Sequence, residues 1–268
     1  MIRIFHFIFN KTLFTLFLIL LFNCAKAENT IKFVWNSYCP YTCNPSSGET
    51  PGYAMEIVVE IFKNSKYKAV FSEIRSWNRA MNMVKNGDSD AIIFTFYPSN
   101  AEKLFIVPKE VMAIEKNICF AIRKDSQWKL KNVNSLKNLE QIGVYKDTIW
   151  LDKTFTAFEK KHTNKFNYLH GDNIIERAFK MLFNGRIDAW EDAETILKYQ
   201  IHKRKIKNLR IEKYTLKTVS TGGTLFSKKN KKSKEYAMFL SAGIKKLRKS
   251  GKLEKIIKKY GLDLWDKN

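Results

Sequence analysis

The sequence predicts an α/β protein of two similarly built lobes, each a mostly parallel sheet flanked by helices. Two observations carry that expectation. From residue 31 onward, apolar runs of strand character alternate with segments of helical spacing. The punctuation of the first half then returns in the second. Gly87/Gly185, Asp90/Asp188 and Ala91/Ala189 are each separated by 98 residues, with a helix before and a strand after each set.

Residues 1–27 stand outside this fold. Met1–Lys11 carries Arg3 and Lys11 and no acid, Thr12–Phe22 is an apolar run too short to span a bilayer comfortably, and Ala25 and Ala27 supply an Ala-x-Ala cleavage site. The order is that of a secretory signal peptide cleaved after Ala27. Cys24 as a lipid-bearing residue fits less well, because Phe22 and Asn23 stand where small residues are wanted. No later stretch is apolar and long enough to span a membrane, so the expected product is soluble and periplasmic.

The elements follow in order. Ile31–Trp35 reads as a buried strand, and Pro51-Gly52 opens a helix over Tyr53–Phe62. Tyr67–Phe71 is a second strand. Ser76 caps a helix with Trp77, Ala80, Met81 and Val84 on one face, closed at Asn86-Gly87 with the glycine left-handed. Asp90–Phe94 is the third strand. Ile118–Ile122 is strand-like, with Cys119 as a small buried hydrophobe. Gln141–Tyr145 is a strand, and Asp147 or Thr148 starts a helix through Phe158. Asn173-Ile-Ile-Glu176 is a capping box for a helix through Phe183, and Asn184-Gly185 leads to the strand at Asp188–Trp190. After the basic stretch Lys228–Lys234 comes a helix bearing Tyr236, Phe239, Leu240, Ile244 and Leu247. Ser250-Gly251 interrupts it before Leu253, Ile256, Ile257 and Tyr260 resume the apolar face.

Composition narrows the function. Hydrophobic residues at 45% and aromatics at 14% exclude a disordered chain. The formal charge of +22 comes from 48 Lys+Arg against 26 Asp+Glu; without Arg3, Lys11 and Lys26 it is 45 against 26, or +19 over 241 residues. The lysines are spread over every expected helix instead of forming one aromatic-interleaved stripe, which together with export argues against a nucleic-acid partner. No Ser/His/Asp set, zinc-like spacing or phosphate loop occurs, and His162, His170 and His202 lack patterned ligand partners. No catalytic residue, metal or cofactor is therefore expected; Glu102 and Glu191 are the acid/base candidates for an enzymatic alternative. In an oxidising compartment Cys39 and Cys43 suit a local disulfide that fixes one loop, the alternative being two reduced thiols.

In an open α/β sheet, ligands sit outside the carboxyl ends of the strands. That selects Trp35 to Tyr41, Thr95 to Tyr97, Tyr145 to Thr148 and Trp190 to Asp192. A helix beginning near Asp147 would offer free N–H groups to an anion. Tyr38, Tyr41, Trp77, Tyr97 and Trp190 suit the walls of a cleft, with core packing equally open for each ring.

Several segments together resemble the bacterial extracellular solute-binding proteins of family 3, which serve polar amino-acid ABC importers. They are the signal peptide, Pro51-Gly-Tyr with its helix, Trp77-Asn-Arg-Ala-Met leading into Asn86-Gly-Asp-Ser-Asp-Ala91, Ala178 to Ala189, and the closing Ser250 to Gly261. The Cys39-Pro-Tyr-Thr-Cys43 loop before Pro51 resembles a divergent subgroup with poorly assigned ligands. The resemblance implies the type II periplasmic-binding-protein fold, with lobe 1 at 28–118 plus 222–268 and lobe 2 at 119–221. The crossing strands would lie near Cys119–Arg123 and Gly222–Phe226. The glycine pair at 222–223 suits a segment that changes its backbone angles, or an ordinary turn. Partners implied are a small-molecule solute and an ABC permease, or a membrane sensor in its place, with the protein a monomer and not an enzyme; dehydratases on the same fold are the less favoured alternative.

Family members that bind α-amino acids are implied to grip the carboxylate with an Arg after the third strand, and the amino group with an Asp of lobe 2. Thr95 to Lys103 contains no Arg: Glu102 stands at its place, or Ala101 or Lys103 on a one-residue shift. Glu191 or Asp192 stands at the lobe 2 position. The ligand-binding set is thus Trp35, Tyr38, Tyr41, Trp77, Thr95, Tyr97, Lys103, Lys146, Thr148, Trp190, Glu191 and Asp192, and the expected ligand is a small polar or cationic solute boxed by aromatics, not a standard α-amino acid.

Overall fold

The computed structural model describes residues 29–44, 50–146, 148, 150–171 and 173–265. The signal peptide, Cys24 and Asp147 lie outside them. Three parallel strands open the chain: β1 (Thr30–Trp35), β2 (Lys68–Glu73) and β3 (Ala91–Phe96), ordered β2-β1-β3. Helix α1 (Tyr53–Phe62) covers one face of them and α2 (Trp77–Asn86) the other. After α3 (Ala101–Leu104) and the short β4 (Phe105–Ile106) comes the long β5 (Ala113–Arg123). Three further parallel strands follow: β6 (Ile142–Tyr145), β7 (Phe166–Leu169) and β8 (Ala189–Asp192), ordered β7-β6-β8. They are interleaved with α4 (Lys153–Lys161) and α5 (Ile174–Phe183). Helix α6 (Glu194–Lys203), the 19-residue β9 (Leu209–Ser227), α7 (Ser233–Lys249) and α8 (Lys252–Lys258) complete the fold.

The sheet order β2-β1-β3-β9-β5-β8-β6-β7 is a near-mirror. Each lobe has three parallel strands edged by one antiparallel strand, β9 beside β3 and β5 beside β8. The 98-residue repeat is therefore structural. Asp90 Oδ2 accepts from the Lys32 N–H at 2.7 Å, and Asp188 Oδ2 from the N–H groups of Glu140 and Gln141 at 2.7 and 3.0 Å. Both aspartates tie the turn before the third strand of their lobe to the first. Gly87 and Gly185 are left-handed, at φ 89 and 66. Removing either acceptor leaves strand amides without a partner, so Asp90→Ala and Asp188→Ala are each expected to cost about 1–3 kcal/mol in urea titrations, with the Asn variants losing less.

Strands β5 and β9 pair on both sides of a break in register. Ala113–Glu115 lies opposite Gly222–Ser220, and Asn117–Arg123 opposite Thr215–Leu209, with residues 216–219 displaced from the ladder. Cys119–Arg123 belongs to the ladder with β8, and Gly222–Phe226 to the ladder with β3. Gly222 and Gly223 thus sit within a strand and not in a turn. A Cβ at Gly222 would lie 2.8 Å from Phe94, and one at Gly223 2.6 Å from the Tyr97 hydroxyl, so the pair makes room for aromatic rings.

Three local expectations are corrected. Helix α4 begins at Lys153, not at Asp147 or Thr148, because Asp152 is the N-cap and accepts the Thr154 N–H at 2.7 Å. The capping box at Asn173 is not formed: Asn173 is left-handed at φ 52 and its side chain makes no cap bond among the described residues, while Glu176 pairs with Lys180. Ser76 does cap α2 through the Arg79 N–H, but Trp77 turns out of the apolar face and is 40% exposed. Cys119 is fully buried, as its apolar strand requires. No helix among the described residues is long and apolar enough to cross a membrane.

Candidate functional site

Tyr38, just beyond the carboxyl end of β1, lies within electrostatic reach of Tyr145, Glu191 and Asp192 at the carboxyl ends of β6 and β8, and the carboxyl ends of strands are the usual position for a ligand on such sheets. Strand β1 ends at Trp35, buried in the lobe 1 core. The chain then turns back on itself. The Tyr38 N–H donates to Thr42 O at 2.6 Å, the Tyr41 N–H donates to Tyr38 O at 3.0 Å, and a Cys39–Cys43 disulfide closes the loop. The Cys39–Pro40 peptide is cis.

This loop caps α1, which has no side-chain cap of its own. Pro40 O accepts from the Tyr53 N–H at 2.8 Å, and Tyr41 O from the N–H groups of Ala54 and Met55 at 2.9 and 3.3 Å. The close approach depends on Gly52, at φ 93. Tyr41 is fully buried, stacked on Phe94 with ring centroids 3.9 Å apart, and its hydroxyl donates to Glu115 Oε1 at 3.3 Å. The Tyr38 ring lies 5.3 Å from that of Tyr41 and is only partly buried. Its hydroxyl has no hydrogen-bond partner among the described residues.

Lobe 2 supplies the opposite wall. At the end of β6 the Tyr145 hydroxyl donates to Asp192 Oδ2 at 2.9 Å, with its ring edge-on to Trp190 at 5.0 Å. Asp192, 4% exposed, also accepts its own Ala193 N–H at 2.8 Å. Burial pushes its carboxyl up to about 7, against the pull of Ala193 N–H, the Tyr145 hydroxyl and the indole N–H of Trp190. Trp190 is wholly buried, and its N–H lies against Asp192 outside hydrogen-bond geometry. Glu191 is half-buried and held well above the usual carboxylate range by burial first, then by Asp192 and Glu159.

Glu115, on β5 where the strands cross, is the residue that the sequence reading missed. It is 4% exposed and accepts from Tyr41 on lobe 1 and from the Thr195 N–H at the start of α6, at 3.4 Å. Burial raises its carboxyl as well. Within Ala113-Ile-Glu-Lys-Asn117 it is followed by Lys116 and Asn117 and looks like the polar mouth of a strand, so the local sequence carries no signal of its burial. Tyr38 lies within the influence of all three carboxylates: burial, then Asp192, Glu115 and Glu191, drive its phenol upward.

The remaining expected residues divide into two groups. Trp77 Nε1 donates to Thr95 Oγ1 at 3.0 Å, Thr95 Oγ1 donates to Phe96 O, and the Tyr97 hydroxyl reaches Thr224 O at 3.5 Å, so all three are held by partners within lobe 1. Lys103 is not brought to the carboxylates. It is exposed on α3, whose Glu102 and Lys103 carbonyls accept from Lys228 beyond the end of β9. Lys146 is exposed after β6, its N–H donating to Leu169 O, and Thr148 Oγ1 is buried without a hydrogen-bond partner among the described residues. The anion site expected at the helix after β6 is filled by the chain itself, since Asp152 takes that N-terminus. Among the described residues, no group of three or more His, Cys, Asp and Glu could hold a metal ion.

Comparison with known proteins gives consistent results. A family model described as bacterial extracellular solute-binding proteins, family 3, matches residues 32–263. The chain is 27% identical over 224 residues to the ABC transporter glutamine-binding protein GlnH of Bacillus subtilis (strain 168), covering 81% of this chain and 75% of that protein. Its fold is similar to that of a chain in a structure describing glutathione import via GshT and the cystine ABC importer TcyBC of Streptococcus mutans. There the TM-score is 0.70 at 19% identity, covering 88% of this chain and 97% of the other. It is also similar to a histidine kinase sensor domain resembling periplasmic binding proteins, with a TM-score of 0.67 at 20% identity over 88% and 98% of the two chains.

Proposed function

The chain belongs to the bacterial extracellular solute-binding proteins of family 3, and from that premise we propose that it is a periplasmic trap. It captures a small polar solute between its lobes and delivers it to an ABC importer. The observation that carries this reading is the meeting of Tyr38 from lobe 1 with Tyr145, Glu191 and Asp192 from lobe 2, beside strands that cross once in each direction. A solute held there touches both lobes only when they are closed, so binding shifts the population toward the closed form that a permease reads. The lobes are taken as 28–118 plus 222–268 and 119–221, with the bend at the register break opposite residues 216–219. The Cys39–Cys43 loop supports placing the chain in the Cys-Pro-Tyr-x-Cys subgroup. Export through a cleaved signal peptide, a monomeric state and the absence of any chemical step belong to the same reading. Tyr38, Trp77, Thr95, Tyr97, Glu191 and Asp192 are kept as its binding set, with Glu115 added, and the buried Trp35, Tyr41 and Trp190 support them from within the lobes.

A second reading, a sensor partner of a membrane signalling protein, is favoured by the similarity to a kinase sensor domain. It shares the trap and changes only what reads it. Small-angle scattering of the ligand-free and solute-loaded protein tests the shared part. Loading is expected to reduce the radius of gyration; a bound solute that leaves it unchanged would overturn the trap.

A further inference from the structure

We propose that the helical layer of lobe 1 formed by α1, α7 and α8 is a docking face for anionic phospholipid, which holds the protein against a negatively charged membrane surface. The proposal goes beyond the trap and does not depend on it. The first ground is the distribution of charge. Residues 228–259, which form the turn after β9, α7 and α8, hold 13 Lys and Arg against Glu235 and Glu254, a net +11 in 32 residues. The other 209 residues from 28 onward carry +8. More than half of the excess thus belongs to one stretch of chain, and such a field attracts anionic surfaces.

The second ground is that the layer does not cancel this excess. Helix α1 packs against both α7 and α8. With the turn after it, residues 53–66, it brings only Glu56 and Glu60, matched by Lys63 and Lys66. All four acids of the layer are already engaged. Glu56 pairs with Lys259 at 2.6 Å, Glu60 with Lys63 and Lys252 at 2.6 and 3.2 Å, Glu235 with Lys66 at 2.9 Å, and Glu254 with Lys258 at 3.5 Å. Lys231, Lys234, Lys246, Lys249 and Lys255 are exposed and form no ion pair among the described residues.

The third ground is the kind of surface. Helix α7 turns Tyr236, Leu240, Ile244 and Leu247 into the lobe 1 core. On its opposite side Met238, Ala242, Lys245 and Lys249 follow at i, i+4, i+7 and i+11, with Lys234 and Lys246 beside them. Met238 is 71% exposed, and Val59 on the adjoining α1 is 41% exposed. Apolar side chains among ammonium groups suit a lipid interface, where the first enter the headgroup layer and the second meet its phosphates. Twelve of the 13 cations in 228–259 are lysine. Flexible point charges of that kind follow mobile headgroups, whereas the planar fork of arginine matches the fixed carboxylates of a protein partner. The stripe also carries no aromatic ring on which a nucleic-acid base would stack.

Flotation of the protein with vesicles of phosphatidylcholine, and of an equal mixture of phosphatidylcholine and phosphatidylglycerol, tests the proposal. Partition onto the mixed vesicles is expected to be at least about thirtyfold greater, at about fivefold for each lysine brought to the surface, and to be largely lost when salt rises from about 0.05 M to about 0.5 M. Changing Lys234, Lys246 and Lys249 together to Glu is expected to weaken it about thirtyfold or more, and Met238→Ser about threefold. Changing Lys131, Lys137 and Lys160 of the other lobe to Glu alters net charge equally and should cost less than about threefold. Circular dichroism confirms each fold; should the α7 variant misfold, Lys231→Glu with Lys255→Glu replaces it. Equal partition onto the two vesicles, or equal loss in the two triple variants, overturns the proposal. Tighter binding to soluble poly-glutamate than to the mixed vesicles also overturns it, in favour of an acidic protein. None of these results changes the scattering test of the trap, so the two readings fail separately.

Discussion

Ligand-free protein will unfold at a higher temperature at pH 5 than at pH 8, opposite to the behaviour of proteins stabilised by paired carboxylates. The cause is Asp192, whose carboxyl is at about 7 in the folded chain against an ordinary 3.8. A carboxyl raised by folding contributes stability that is complete below its unfolded value and is lost as pH climbs through its folded one. Between pH 5 and 8 that loss is about 2.5 kcal/mol, or about 5–10 °C in a chain of this size. Glu115 and Glu191 are shifted in the same direction and add to it. Glu60, Asp152, Glu176, Glu194 and Glu235 are shifted downward, so their contributions are lost only in more acid solution. Calorimetric scans of the parent and Asp192→Asn decide the matter. The variant should be the more stable of the two at pH 8 and much flatter with pH; an unchanged slope would assign the effect elsewhere.

Replacing Gly52 by Ala is expected to cost about 3 kcal/mol or more. Two penalties coincide there. The residue sits at φ 93, outside the range that L side chains accept readily, and its Cβ would lie 2.5 Å from Tyr41 O and 2.7 Å from Thr42 N. Both neighbours are backbone and are held by the loop that caps α1, so neither can move aside. Gly185→Ala is the control: also left-handed, at φ 66, but with nothing within 4 Å, it should lose only about 1 kcal/mol. Urea midpoints of the two variants separate strain alone from strain plus collision. A Gly52→Ala protein as stable as Gly185→Ala would show that the loop yields.

The repeat of Gly, Asp and Ala at 98 residues was legible because each of those residues acts locally. The glycine closes a helix, and the aspartate binds the start of the adjoining strand. Their placement therefore implied the mirrored halves of the sheet before any long-range pairing was known. The features that escaped reading depend on partners far along the chain. Leu209–Ser227 mixes Lys, Thr and Gly and carries no clean alternation, because one end serves each lobe and its middle leaves the ladder. Glu115 has meaning only when Tyr41 and Thr195 arrive beside it, from 74 and 80 residues away. The start of α4 was misplaced for a nearer reason: two aspartates, at 147 and 152, precede its apolar face in the sequence, and the helix is capped by Asp152.

The crossed strands also set an order of events during synthesis. Lobe 1 cannot finish its sheet until β9 exists, nor its core until Leu240, Ile244, Leu253 and Tyr260 arrive from α7, α8 and the turn beyond them. At ordinary elongation rates this leaves the first three strands waiting on the order of ten seconds or more. Throughout that interval the amino-terminal segment has no completed core to collapse onto. The chain is thereby kept threadable until α7 and α8 are made, a property built into connectivity and not into any one side chain.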